Sequence, residues 1–336
     1  MRILQVLLSP RIGGAETLAS ELSKAWTARS VTNAIHFLDA YTSSQRSRLT
    51  RMVRMRHAIS EFKPDIILSH TALPNLYSRL ASPHGVSNVT VLHSSAKDFG
   101  SAKLRISEKL LTRRTRHVVG VGAQQITEYQ HHFGTRIPTS IIPNGVRADL
   151  PSRLMATIEP QVVLTLARIA NVKNPWLWAE TANAMSAAYP GIEINWWGPA
   201  QTEEMKDLVL DHKASKRAGN FQGPSHRPND QLATADILFH PSDRESNGLS
   251  IVEAACVGLP VVCSDVVASV LPPELPLSTF EAGNPVSAAQ ALDDVICNYG
   301  AHAQASIANA GWVRELFGME HCATLYLELF ESIAAP

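Results

Sequence analysis

Cysteine is scarce in this chain and poorly placed for cross-linking. The four, Cys256, Cys263, Cys297 and Cys322, all fall in the second half and form no CxxC pair. That argues against a disulfide framework or a thiolate zinc site and points to a reducing cytoplasm. Long apolar runs are also lacking. The N-terminal stretch MRILQVLLSPR breaks at Arg11 and carries no signal-peptide cleavage pattern, so it reads as a first strand and not as a membrane span. No low-complexity tract and no repeat of solenoid length occurs, which argues against a largely disordered, fibrous or solenoid protein.

What is present suits a globular α/β protein of two domains. The chain has 336 residues, 45% hydrophobic and 18% charged, more than a single core usually carries. The net charge of zero conceals a split. Residues 1–150 hold 20 Lys and Arg against 9 Asp and Glu, and residues 151–336 hold 10 against 21. A first half at +11 and a second at −11 predict two units with different surfaces, the basic one suited to an anionic lipid, polyanion or phosphate-bearing partner.

Short β-branched runs alternate with amphipathic stretches, the βαβα rhythm of parallel sheets covered by helices. Strands are expected near 2–8, 33–38, 65–69, 88–93, 117–121 and 139–142, with helices over Glu16–Ala28, Ser47–Phe62, Asn75–Ala81, Lys103–Arg113 and Ala123–Phe133. The rhythm restarts with strands near 161–166, 192–197, 236–240 and 260–263 and helices such as Pro175–Tyr189 and Glu203–His212. Between the halves, Pro143, Pro151 and Pro160 punctuate a segment without periodicity. Two doubly wound sheets facing each other across a cleft follow, and ligands of such sheets sit at the carboxyl ends of strands.

Those strand ends carry the chemistry. The first strand runs into Arg11-Ile12-Gly13-Gly14-Ala15-Glu16, where paired glycines admit close backbone approach and a helix N-terminus favours an anion; a plain tight turn explains the pair equally well. Strand 88–93 ends at His93, able to hydrogen-bond a hydroxyl or move a proton, and His70 ends the preceding strand in the same way as a lower-ranked candidate. Strand 161–166 leads to Arg168 and Lys173, whose side chains resemble a diphosphate clamp or, read plainly, two solvated loop charges. In Glu245-Ser246-Asn247-Gly248-Leu249-Ser250-Ile251-Val252-Glu253, backbone N–H groups near Gly248–Ser250 at a helix start suit phosphate oxygens. Carboxylates at Glu245 and Glu253 bracket that anion seat. Carboxylates accept hydrogen bonds from hydroxyls, so a ligand with both phosphate and sugar hydroxyls, such as a nucleotide sugar, accounts for the mixture.

With Glu245 and Glu253 separated by seven residues inside ESNGLSIVEAACVGLPVV, the chain resembles glycosyltransferase family 4 and its E-x7-E signature. IGGAE (12–16), KPDIILSH (63–70), TVLHS (90–94), IIPNGV (141–146), LARIANVKNP (166–175) and FEAGNP (280–285) follow in family order across nearly the whole chain. The resemblance implies a GT-B architecture of two Rossmann-like domains. The acceptor-side domain would be 1–148, the nucleotide-sugar domain 149–318, and a closing helix at about 319–336 would return to the first. It implies retaining transfer without metal or other cofactor, from a UDP- or GDP-sugar to a hydroxyl of a saccharide or lipid-linked saccharide, in polysaccharide, lipopolysaccharide or glycolipid assembly. Carried over residue by residue, Arg168 and Lys173 neutralise the diphosphate, and Glu253 holds ribose hydroxyls. Glu245 meets the transferred sugar, Gly13 and Gly14 approach the phosphate, and His93 contacts the sugar. Asn247 and the N–H groups of Gly248, Leu249 and Ser250 complete the cradle. This chain departs from the pattern at Ser246-Asn247-Gly248, where the family commonly has Gly-Phe-Gly, at Gly122, and at Trp196-Trp197-Gly198-Pro199. Strand alternation places at least one of those tryptophans in the core.

The cations Arg46, Arg48, Arg51, Arg54 and Arg56, and then Lys103, Arg105, Lys109, Arg113, Arg114 and Arg116, lie among apolar residues. They read either as a solvated helix face or as attachment to the anionic inner surface of the cytoplasmic membrane. No nucleic-acid module accompanies them. Among rival functions, a NAD-dependent dehydrogenase fails because Gln125 stands where the third fingerprint glycine of Gly120-Val121-Gly122 is needed. A nucleotide-sugar epimerase of similar architecture and a catalytically silent nucleotide-sugar-binding subunit remain as alternatives.

Overall fold

The computed structural model describes residues 1–10, 14–39, 47–93, 99–225, 227–245 and 247–334. The chain divides into two compact units, Met1–Gly145 with Phe317–Pro336, and Val146–Leu316. Each is built on one six-stranded parallel sheet.

In the first unit the strands are β1 (Arg2–Leu7), β2 (Thr32–Phe37), β3 (Ile66–His70), β4 (Ser87–Leu92), β5 (His117–Gly120) and β6 (Thr139–Ile141), in the order β2-β1-β3-β4-β5-β6. The connecting helices are α1 (Gly14–Ala28), α2 (Arg48–Phe62), α3 (Ala72–Ala81), α4 (Ala102–Leu111) and α5 (Ala123–Phe133). Successive residues of a strand face opposite sides, so each central strand must be apolar on both. Ile3, Ile66 and Leu68 accordingly pack with α1 on one side, while Leu4, Val6 and Ile67 pack with Met55 and Ile59 of α2 on the other. The α1 side is closed by α13 (Met319–Ala334). Its Tyr326 and Phe330 meet the fully buried Trp26 edge-on at centroid distances of 6.2 and 5.8 Å, and Trp26 Nε1 donates to the Ala323 carbonyl at 3.2 Å. Truncating Trp26 to alanine would cost about 3–5 kcal/mol in lost contacts and cavity. Gly145 is what lets the chain pass under α13, since a Cβ there would lie 2.8 Å from the Met319 Cα.

The second unit contains β7 (Val162–Leu166), β8 (Glu193–Trp197), β9 (Asn220–Gly223), β10 (Ile237–His240), β11 (Val261–Ser264) and β12 (Leu277–Phe280), in the order β12-β11-β10-β7-β8-β9. Its helices are α6 (Pro175–Ala188), α7 (Glu203–Ala214), α8 (Pro228–Thr234), α9 (Leu249–Val257), α10 (Asp265–Ala268), α11 (Pro285–Cys297) and α12 (Tyr299–Phe317). Strand order reverses between β7 and β10, which makes their carboxyl ends the expected ligand position. Of the paired tryptophans, Trp196 is fully buried against Trp178 and Phe221, while Trp197 points to the other face and is half-buried.

The helices sit close to their expected places, with differences at the ends. α1 begins at Gly14 and α3 at Ala72, earlier than expected. α4 stops at Leu111 and continues as a 3-10 turn over Thr112–Arg114. The short, polar strands β9 and β12 were not expected from the sequence.

Candidate active site

The switch point of the second sheet gathers most of the residues singled out above. After β10 the chain passes His240, Asp243 and Glu245 and enters α9 at Gly248, whose left-handed φ of 53° starts the helix without a capping side chain. First-turn N–H groups of a helix have no partner within it, so those of Leu249 and Ser250 stay open to an anion. Leu271 and Ile251 leave little room: a Cβ on Gly248 would meet them at 3.4 and 3.5 Å. Nearby, Ser242 Oγ, Asn247 Nδ2 and His240 Nδ1 are buried and have no hydrogen-bond partner among the described residues. Buried polar atoms without partners are costly, and their clustering here is what a polar ligand would satisfy.

The turn after β7 supplies the cations. Lys173 Nζ forms an ion pair with Glu245 Oε1, and His240 Nε2 lies 3.2 Å from the same oxygen, off the axis that a full hydrogen bond requires. Burial alone would raise the Glu245 carboxyl, but His240 and Lys173 outweigh it and hold it at about 2. His240 itself is lowered by burial, against the pull of Glu245. Asn174 locks this arrangement: its Oδ1 caps α6 at Leu177 N (3.1 Å), and its Nδ2 donates to Asp243 Oδ1 (2.9 Å). Arg168 is exposed and makes no ion pair among the described residues.

The Arg168 turn is pinned from β8. Ile169 N donates to the Pro199 carbonyl at 2.9 Å, Gln201 N returns to the Ile169 carbonyl at 3.0 Å, and Trp196 Nε1 donates to the Ala167 carbonyl at 2.7 Å. Gly198 is required for this approach, because a Cβ there would stand 1.8 Å from the Ala167 oxygen. The Trp-Trp-Gly-Pro segment therefore shapes the cation turn.

Glu253, one helical stretch on from Glu245, is nearly buried and paired with Arg147 at 3.3 Å. Burial raises its carboxyl, Arg147 opposes that, and Asp149 adds to it. Nothing in the sequence points to Arg147 in this role, since 106 residues separate the pair.

In the first unit, Gly14 opens α1 and a Cβ on it would meet nothing within 4 Å. Gly13 lies outside the described residues, as do Arg46 and Ser246. His70 ends β3 fully buried, and His93 follows β4 half-buried, 2.9 Å away ring nitrogen to ring nitrogen. Gln5, in the middle of β1, reaches the other side of His70 at 3.3 Å. Its only trace in the sequence is a lone amide inside an apolar strand.

Of the basic residues, Arg51 is not on the surface: it is buried in a two-pronged ion pair with Asp39 at 2.6 and 2.8 Å. Arg48, Arg54 and Arg56 of α2 and Lys103, Arg105 and Lys109 of α4 are exposed. So are the apolar Leu49 and Val53 of α2, and Ile106 and Leu110 of α4. Among the described residues no group of three or more His, Cys, Asp or Glu is arranged to hold a metal ion, and no helix is long and apolar enough to cross a membrane.

Comparison with known proteins bears on the family and the fold. The model of Glycosyltransferase Family 4 matches residues 12–150, and that of Glycosyl transferases group 1 matches residues 160–298. HepE from Anabaena, solved with UDP-glucose, superimposes with a TM-score of 0.83 at 16% identity over 99% of this chain and 100% of that one. Sucrose-phosphate synthase from Thermosynechococcus elongatus gives 0.80 at 16% identity, covering 99% of both chains. A D-inositol 3-phosphate glycosyltransferase of Paenarthrobacter aurescens (strain TC1) is 28% identical over 156 residues, a stretch spanning 41% of this chain and 38% of that protein. Its two Rossmann-like sheets give the protein the GT-B fold, and both family models that match it are models of glycosyltransferases. The chain belongs to glycosyltransferase family 4.

Proposed function

We propose that the protein transfers a sugar, with retention of configuration and without a metal ion, from a UDP- or GDP-sugar to a hydroxyl of a saccharide or lipid-linked saccharide. The reading rests above all on the Lys173–Glu245 pair set beside the uncapped start of α9. The α9 N–H groups, Arg168 and Lys173 take the diphosphate, while Glu253, steadied by Arg147, accepts hydrogen bonds from the ribose hydroxyls. Glu245 stays ionised at working pH and offers negative charge to the oxocarbenium-like centre. Cleavage of the bond between the anomeric carbon and the phosphate oxygen leaves negative charge, and fixed cations with a helix N-terminus stabilise it electrostatically. On the same face the acceptor oxygen bonds to that carbon and its proton passes to the departing phosphate oxygen.

The presence of UDP-glucose in the HepE structure favours UDP among the nucleotides. Bacterial surface polysaccharide or glycolipid assembly, from the cytoplasmic side, suits a hydroxyl acceptor of this class. The exposed aliphatic residues and cations of α2 and α4 support peripheral attachment to anionic lipid. The test is direct: purified protein with each nucleotide sugar and candidate acceptors, in excess chelator, with the product's anomeric configuration read by NMR. An α-linked product from an α-donor is expected. An inverted product, loss of activity in chelator, or epimerisation of the donor with no acceptor would overturn the proposal.

A further inference from the structure

We infer that Gln5 and His70 are positioning residues for His93, fixing its tautomer so that Nε2 carries the proton and Nδ1 offers a lone pair to a sugar hydroxyl. This rests on the glycosyltransferase reading for the identity of the ligand, while the tautomer itself follows from local geometry alone.

The chain of bonds starts at α1. The Ala19 carbonyl can only accept, so the Gln5 side-chain nitrogen faces it, at 2.9 Å; the flipped amide would set oxygen against oxygen. That orientation turns Gln5 Oε1 towards His70 Nε2, which must therefore bear hydrogen. A neutral imidazole has a single N–H, so His70 Nδ1 accepts, and the hydrogen in its 2.9 Å contact with His93 Nε2 belongs to His93. The ring centroids are 5.2 Å apart, close to the largest separation such a nitrogen contact allows, so the N–H points along the lone pair. Both rings are neutral at physiological pH: burial lowers His93 to about 4 and His70 well below its usual value. His93 is thus left with an unprotonated Nδ1 and, among the described residues, no other polar partner.

An acceptor-only nitrogen at the carboxyl edge of the first sheet has a definite chemical preference. It welcomes a group that carries hydrogen and repels phosphate or carboxylate oxygens. His93 would then recognise a neutral hydroxyl, whereas anion binding falls to Arg168, Lys173 and the α9 N–H groups of the second unit.

Nitrogen-15 correlation spectra of the full chain read the tautomer directly. We expect His93 to be protonated at Nε2 in the wild type. His70→Gln should keep it so, because that amide accepts and donates in the same directions, while His70→Leu should release it. Kinetics supply the second readout, with monodeoxyfluoro analogues of whichever nucleotide sugar is used. Fluorine cannot donate a hydrogen bond, so at one ring position kcat/KM of the wild type and of His70→Gln should fall by about tenfold. In His70→Leu that penalty should largely disappear. A His93 ring protonated at Nδ1, or His70→Gln behaving like His70→Leu, overturns the inference. Failure of any nucleotide to stabilise the protein would instead sink the glycosyltransferase reading and leave the tautomer result standing.

Discussion

Lys173 and Glu245 stand 72 residues apart in the chain, yet their ammonium and carboxylate are ion-paired at the carboxyl edge of the second sheet. Both side chains are largely shielded, 15% and 13% exposed. Removing either partner from such a pair leaves a poorly solvated charge, so a single substitution here costs stability as well as function.

Arg168→Ala and Lys173→Ala are each expected to lower kcat by at least about a hundredfold, the scale lost when a preorganised charge stabiliser is removed. Circular dichroism and unfolding midpoint should stay near wild type for Arg168→Ala, whose side chain is exposed. Near-normal turnover in either variant would remove the residue from the diphosphate site.

Glu245 also sets a pH dependence. Its folded value of about 2 lies below the ordinary 4.5, so it contributes stability above 4.5 that drains away as pH falls towards 2. The contribution is at most a few kcal/mol. Urea unfolding of wild type and Glu245→Gln should differ near neutrality, and the difference should shrink as pH falls from 4.5 towards about 2; a constant difference would contradict the ion pair.

Glu253 has the opposite sign. Its folded value is raised, so the folded state holds the proton more tightly, and that advantage is lost as pH rises past the usual carboxyl range. Glu253→Gln should therefore melt no lower than wild type at neutral pH, yet lose the thermal shift that a nucleotide sugar gives. A variant both unstable and fully nucleotide-responsive would reverse the assignment.

Gly198→Ala tests the support of the cation turn. The added methyl meets backbone that cannot rotate aside, at a cost of about 2 kcal/mol or more. Turnover should fall together with stability, measured by urea denaturation and by transfer assay. Unchanged values for both would mean that the turn is held by other contacts.

For the lipid surface, Lys109→Glu and Leu110→Asp should each weaken co-sedimentation with anionic vesicles and leave binding to neutral vesicles unchanged. About 1 kcal/mol per cation near the surface corresponds to roughly fivefold. Equal sedimentation of wild type and variants would assign these side chains to an ordinary solvated face.

Much of this molecule is legible in its sequence because parallel strands buried on both faces must be apolar runs. The inner strands β1, β3, β4 and β5 announce themselves in that way, while the edge strands β2 and β6 are more polar and less buried. β9 and β12 do not announce themselves, being four residues each and carrying Asn, Gln and Gly or Ser and Thr. The spacing of Glu245 and Glu253 along one loop and helix is local and could be read. Their partners Lys173 and Arg147 could not, because they stand 72 and 106 residues away and only folding brings them together. Gln5 is an intermediate case: an amide on a buried strand signals a fixed hydrogen bond, though not to which residue.

The helix that closes the first unit follows the whole second unit in the chain. Trp26, Tyr326 and Phe330 share one core, so a ribosome has to finish the whole second unit before the first can complete its packing. Synthesis and folding thus run in opposite orders: the first unit waits, incompletely packed, for a helix made after the second. A nascent chain stalled before α13 should leave the first unit open to protease and chaperone, while the second is already shut.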